Sequence, residues 1–389
     1  EGLYAQNTDK YTTNNLNMKF GGKVKPWLSI NGAARLFHSN YRSPGYDFED
    51  GGNIPNYTFH AMPFITPYNP DGSSVYTTEV TGSAPADGMA AAVAQGRAFS
   101  QLKQTQYTTT IGGVITPLEG WSIVGTFSYK RYQREKTFRS ANISYSDAYG
   151  EMKTATTGFF SDKLRENSAV EEHYTYDLYT TYEHSINRHN FKVLAGMNHE
   201  AYRYKLIYGA KSSLQSDYLN DLNLGTGVAE ASGGQSRWAL LGFFGRGTYD
   251  FAGKYLAEVN FRWDGSSRFP KHDRWGFFPS VALGWRISEE NFMEPLRKVI
   301  DNVKLRASVG SLGNQAIADS YPYIQSLSPS LSTSYLMNGN KIYITSLGAP
   351  QSGDLTWETI ITKNLGLDLG FFGNRLTATA DFYIRDTKD

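Results

Sequence analysis

Residues 255–288 read YLAEVNFRWDGSSRFPKHDRWGFFPSVALGWRIS, and the parity of their side chains decides the fold. In the first half Tyr255, Ala257, Val259, Phe261 and Trp263 share one parity, and Glu258, Asn260, Arg262 and Asp264 the other. In the second half Phe277, Val281, Leu283, Trp285 and Ile287 alternate with Ser280, Ala282, Gly284, Arg286 and Ser288. A period of two makes each run a strand with one apolar and one wet face. The next run repeats it, Val303, Leu305, Ala307 and Val309 against Lys304, Arg306 and Ser308. Strands of soluble domains average about 5–6 residues, whereas a strand crossing a bilayer needs about 9–11, and these runs are of the second kind. Aromatic rings at both ends of the apolar parity, Tyr255 with Trp263 and Phe277 with Trp285, fit two membrane interfaces. The opposite register would set Arg262 against lipid at about 2–4 kcal/mol near the midplane, a large part of a net stability of about 5–15 kcal/mol. Odd positions here therefore face lipid and even positions face a lumen.

Bulk composition agrees. The chain has 389 residues, 38 basic and 37 acidic side chains, so no net field attracts nucleic acid. It has no cysteine, which excludes disulfides and thiolate metal sites. Its 27 Tyr, 22 Phe and 38 Gly suit aromatic strands joined by glycine turns. A mean hydropathy of -0.46 is compatible with a barrel, because every second strand residue faces water. No apolar run is long enough for a transmembrane helix.

Along the chain, alternation at residues 11–21 turns at 21–26 and resumes at 28–36. A segment rich in proline, residues 38–100, follows, with an alanine-rich helix expected at 86–99 behind Asp87 as N-cap. Strand pairs are then expected around 107–129, 174–197, 239–263, 277–309 and 361–384. Between them lie long polar loops at about 133–171, 204–235 and 313–354, and a helical turn at 289–302. Short and long connections alternate, which is the asymmetry of an outer-membrane barrel with periplasmic turns and extracellular loops. The pattern gives about twelve strands. The chain starts mid-pattern and stops just after a strand, so residues 1–389 are expected to be part of a larger antiparallel up-and-down β-barrel.

Several blocks resemble a known family. Trp263-Asp264-Gly265-Ser266-Ser267-Arg268-Phe269, Arg274-Trp275-Gly276-Phe277-Phe278-Pro279-Ser280, Gly284-Trp285-Arg286-Ile287-Ser288-Glu289-Glu290 and Gly313-Asn314-Gln315 are similar to those of SusC/RagA transporters. Leu355-Thr356-Trp357-Glu358 and Asn364-Leu365-Gly366-Leu367-Asp368 agree. The resemblance implies a TonB-dependent outer-membrane transporter of Bacteroidetes with a barrel of about 22 strands and a plugged lumen. It implies import of oligosaccharides or oligopeptides, a SusD-like surface lipoprotein as lid, and energy from TonB with ExbB and ExbD acting through a plug. No plug, TonB box or amino-terminal domain is recognisable in these residues. Membrane lipid and lipopolysaccharide are the expected surroundings. The alternative is a passive porin or adhesin barrel.

Substrate-contact candidates are the loop aromatics Tyr46, Phe48, Tyr57, Phe59, Tyr68, Tyr321 and Tyr323, and the lumen-facing Arg246 and Arg262. Such rings stack on sugars or grip peptides, but long loops also need aromatic cores of their own. Lumen charges most often pair with one another. His184, His189 and His199 are placed too far apart along two strands for a zinc site, and the acidic Asp47, Glu49 and Asp50 lack the rest of a calcium loop. No nucleophile elbow or other catalytic spacing occurs, so neither enzymatic activity nor a cofactor is expected.

Overall fold

The computed structural model describes residues 10–44, 68–76, 95–146, 151–155, 161–317, 320–348 and 353–388. Twelve strands form one antiparallel sheet, each hydrogen-bonded to its sequence neighbours. They are β1 (Lys10–Lys25), β2 (Leu28–Pro44), β3 (Phe99–Leu118), β4 (Trp121–Ser140), β7 (Lys163–Ile186), β8 (His189–Ser212), β9 (Glu230–Phe251), β10 (Tyr255–Ser266), β11 (Trp275–Arg286), β12 (Ile300–Asn314), β15 (Glu358–Phe371) and β16 (Leu376–Lys388). Two small hairpins, β5 (Ile143–Ser146) with β6 (Met152–Ala155) and β13 (Leu327–Met337) with β14 (Asn340–Leu347), stand apart from it. In the described residues β1 and β16 each pair on one side only, so the sheet is an arc of barrel wall.

The ladder carries the parity argument across strands. Val259 pairs with Val281, which pairs with Val309, while Tyr255, Trp285 and Leu305 form the matching row nearer the turns. On the other face Asn260 pairs with Arg246 and with Ser280. From Tyr255 to Trp263 is about 27 Å along a strand, or about 20 Å along the membrane normal at a tilt of about 40°, close to the apolar height of an outer-membrane barrel. Trp121 opposite Tyr182 and Tyr129 opposite Tyr174 mark the same two levels on β4 and β7. Pro279 lacks an N–H, and the ladder to β12 starts one residue later, at Ser280.

The turns are tight at one end. Asn187 has φ 53° and Gly120 φ 76° in connections of two residues, and Ala252 and Gly253 have φ 57° and 69°. Asp250 accepts the Gly253 N–H at 2.9 Å, fixing that turn. The β11–β12 connection holds two short 3-10 segments, Ile287–Glu289 and Asn291–Leu296, as the helical spacing there predicts.

Several sequence boundaries are corrected. β1 runs on to Lys25, so Gly21 and Gly22 lie in a strand, opposite Asn31 and Ile30. Of the helix expected at 86–99, Gln95 is helical, residues 96–98 are irregular and Phe99 opens β3, while residues 86–94 lie outside the described residues. The loop expected at 133–171 is largely strand, and that expected at 204–235 shrinks to residues 213–229, because β4, β7, β8 and β9 reach 20, 24, 24 and 22 residues. Above the bilayer both faces of a strand are wet, so apolar alternation stops while backbone pairing continues. The expected loop 313–354 contains the β13–β14 hairpin, turned by Asn338 and Gly339 at φ 51° and 78°. That Asn-Gly pair is the strongest short hairpin signal a sequence offers.

Candidate functional site: the lumen wall and its mouth

The even face of β9–β12 and the matching faces of β15 and β16 form a polar wall in which Arg246, Arg262 and Arg306 are spent on neighbours. Arg246 donates from Nε to Asn260 Oδ1 at 2.6 Å, and Asn260 donates to Glu258 at 2.7 Å. Arg262 holds Asp264 at 3.0 and 2.8 Å, and its guanidinium carbon lies 5.4 Å from the Phe244 ring centre. Arg306 grips Asp368 at 2.8 and 3.0 Å and reaches Asp381 at 3.3 Å. Lys192 pairs with Glu183 at 3.1 Å. Arg246 and Arg262 thus sit on the expected face but act within the wall. Beside them lies a cleft of about 540 Å³ lined by Lys192, Glu258, Lys304 and Arg306.

The other candidates are scattered. Tyr46, Phe48, Tyr57 and Phe59 lie outside the described residues. Tyr68 bridges to Ser74 and is exposed, in a turn where Ser73 hydroxyl and amide both donate to Asp71 and hold its carboxyl below the usual range. Tyr321 and Tyr323 meet edge to face at 6.3 Å. Tyr321 borders a cavity of about 1090 Å³ against β7, β8 and β9. Among the described residues no group of three or more His, Cys, Asp or Glu side chains could hold a metal ion.

Sequence reasoning missed an aromatic platform near the mouth. His173, Tyr202 and Trp238 are ladder neighbours on the lumen parity of β7, β8 and β9. Tyr202 stacks on Trp238 at 5.7 Å, and His173 meets both edges-on at 6.2 and 5.7 Å. Arg268, from the β10–β11 tip, lies 5.2 Å over the Trp238 ring and donates to the Ile317 carbonyl at 2.9 Å. The signal was the continuation of period two above the bilayer, through Trp238 and Tyr202, where polar neighbours masked it.

Beside the platform, the tip folds back on the wall. Ser267 N–H donates to the Ala239 carbonyl at 2.9 Å and Ser267 Oγ accepts from the Ala239 N–H at 2.8 Å. Phe269, Phe278 and Trp357 form a buried cluster with Leu240, Ile317 and Leu355 around it. Trp357 Nε1 donates to the Arg274 carbonyl at 2.9 Å. A Cβ at Gly276 or Gly313 would collide with the Phe278 ring, so glycine is required at both. Four of the recognised blocks, from separate parts of the chain, therefore meet in one knot at the extracellular rim.

A model of the family "TonB dependent receptor-like, beta-barrel" matches residues 26–389. The chain belongs to that family. The receptor is 34% identical to the TonB-dependent receptor SusC of Bacteroides thetaiotaomicron over 218 residues, 55% of this chain and 21% of that protein. A TonB-dependent receptor of Formosa agariphila is 27% identical over 342 residues, 87% of this chain and 32% of the relative. The chain therefore spans about a third or less of the curated relatives it matches. The fold of the RagAB peptide transporter superposes with a TM-score of 0.78 at 21% identity, covering 97% of this chain and 40% of the transporter's. The SusC/RagA resemblance read from the strand blocks holds, and the receptor is an outer-membrane β-barrel protein.

Proposed function

We propose that the receptor takes part in active, TonB-dependent import of oligosaccharides or oligopeptides, with ExbB and ExbD powering TonB and a SusD-like lipoprotein covering the mouth. On this reading residues 1–389 supply barrel wall, and a plug elsewhere in the receptor receives the pull. The observation that supports it is the wall itself: one face apolar between two aromatic belts, the other charged and hydrogen-bonded through Arg246, Arg262 and Arg306. Such a face suits a lumen filled by a plug and crossed by a hydrated solute.

For substrate contact we assign Tyr202, Trp238 and Arg268 at the mouth, together with the loop residues Tyr68, Tyr321 and Tyr323 and the first-loop rings Tyr46, Phe48, Tyr57 and Phe59. Arg246 and Arg262 shape the lumen. The test is uptake of labelled oligosaccharides and oligopeptides by cells carrying or lacking the receptor, before and after collapse of the proton gradient. Uptake of one class should vanish with either treatment. Uptake that persists without the gradient would point to a passive pore. Trp238→Ala should lower capture of that substrate about tenfold, the scale of one well-placed aromatic contact.

A further inference from the structure

The charge of the lumen face is divided unevenly around the wall. On β9–β16 Arg246, Arg262 and Arg306 each meet a carboxylate. The strands β1–β4 contain a single acidic residue, Glu135, and it lies on the outer parity, opposite Ser168. Lys130 takes the lumen parity of His173, its ladder neighbour on β7, and through Thr108 and Arg35 that parity continues to Asn17, Lys19 and Lys23 on β1. Lys19, Lys23, Arg35, Lys130 and Arg134 are exposed on this face and make no ion pair among the described residues.

One ladder line joins Arg35, Thr108, Lys130, His173, Tyr202 and Trp238, each directly opposite the next. It crosses six strands about 4.8 Å apart, so cations and aromatic rings share about 24 Å of the inner rim. The line lies one residue above Tyr129 and Tyr174 of the upper belt. Arg134 stands four residues higher, and Lys19 and Lys23 lie two and six residues lower, a descent of positive charge over about 33 Å of strand. The nearest lumen carboxylates on β7 and β8 do not answer it: Glu171 is taken by the Tyr202 hydroxyl, and Glu200 lies 3.5 Å from His173.

We propose that this track admits an anionic oligosaccharide, one carrying carboxylate or sulfate groups, past the mouth and into the bore. The inference rests on the import reading above and narrows its substrate. A lining of one sign concentrates solutes of the other and sets the selectivity of a pore. Arg35 and Lys130 pair with acidic groups of the sugar chain, while Tyr202 and Trp238 meet its rings at the end of the same line. Between the cations the face offers mainly hydroxyls and amides, Asn17, Gln106, Thr108 and Ser128 among them, which suit sugar hydroxyls. A peptide is gripped through a free strand edge or a series of side-chain pockets, and the paired strands β2–β4 present neither on this face.

The test is uptake by cells carrying the complete receptor, with labelled fragments of matched length from neutral dextran and xylan, carboxylated pectin and alginate, sulfated chondroitin, and acidic and neutral oligopeptides. Uptake that needs the proton gradient should be confined to carboxylated or sulfated fragments. Arg35→Gln with Lys130→Gln should lower their capture about tenfold, the scale of two exposed ion pairs, and high salt should do the same to the unaltered receptor. Lys103→Gln, which removes a cation from the outer parity of β3, should change nothing, and heat-modified gel mobility confirms that each variant is folded. Gradient-dependent uptake of neutral fragments or of peptides alone overturns the proposal and leaves the import reading standing. If no probe shows gradient-dependent uptake, the import reading fails and the proposal with it. The proposal also fails if the double variant captures anionic fragments as well as the unaltered receptor, or if Lys103→Gln loses as much.

Discussion

Val281 and Ala282 are adjacent in β11, yet an arginine at each should have opposite consequences. Val281 lies midway between the belt rings Phe277 and Trp285, pairs with Val259 and Val309, and exposes 40% of its surface on the lipid parity. Four residues separate it from each ring, about 10 Å along the normal, so Val281→Arg places a guanidinium near the midplane. The cost there is about 2–4 kcal/mol, a factor of about 30 to 1000 in the folding equilibrium. Ala282 faces the lumen opposite Glu258, so Ala282→Arg adds a cation beside a carboxylate in water. Its cost should stay within about 0.5 kcal/mol, the usual range for a wet surface site. Urea unfolding in lipid vesicles, with the assembled fraction in outer membranes as a second reading, measures both. Equal destabilisation, or a greater loss from Ala282→Arg, would refute the assignment of faces.

Trp357→Ala should cost about 3–5 kcal/mol, because the ring is only 7% exposed and fills the knot between Phe269 and Phe278; denaturant unfolding followed by tryptophan emission reads it. Asp162→Ala should cost about 3–5 kcal/mol by stranding Arg139, which is 1% exposed and pairs with that carboxylate, and the variant should unfold at lower denaturant than Asp217→Ala. Glu290 accepts from the Tyr255 hydroxyl at 2.6 Å, Trp285 Nε1 at 3.1 Å and Lys254 Nζ at 3.2 Å, and these bonds, the tyrosine's first, hold its carboxyl below the ordinary 4.5. A lowered carboxyl contributes stability above its unfolded value and loses it as pH falls through the native one. Acid unfolding below pH 4.5 should therefore be blunted in Glu290→Gln relative to the unaltered receptor.

What the sequence disclosed follows from where solvent differs across the sheet. Between the belts lipid and water lie on opposite faces, so Tyr255 to Trp263 and Phe277 to Trp285 announced their register and held it through the ladder. Higher up, residues such as Asn167 opposite Tyr208 have water on both sides, and no alternation records that they pair. The platform of Tyr202, Trp238 and Arg268 was illegible for a further reason. Arg268 comes to Trp238 from 30 positions away, by a fold of the tip that only the Ser267–Ala239 bonds reveal. The Asn338-Gly339 hairpin is legible from its turn pair alone, inside the segment whose polar composition otherwise reads as loop.

The tight connections at the periplasmic end have a mechanical consequence. The Asn187, Gly120 and Ala252-Gly253 turns end almost flush with the lower belt, and each is locked into its neighbours, as when Gly120 accepts the Glu183 N–H at 2.8 Å. Of the connections at that end, the β11–β12 segment with its two 3-10 turns and the exposed Phe292 and Leu296 is the one that stands out from the wall. The staple of Arg306 to Asp368 and Asp381 ties β12, β15 and β16 together on the lumen face and resists shear between them, so this part of the wall is built as a stator for the import proposed above.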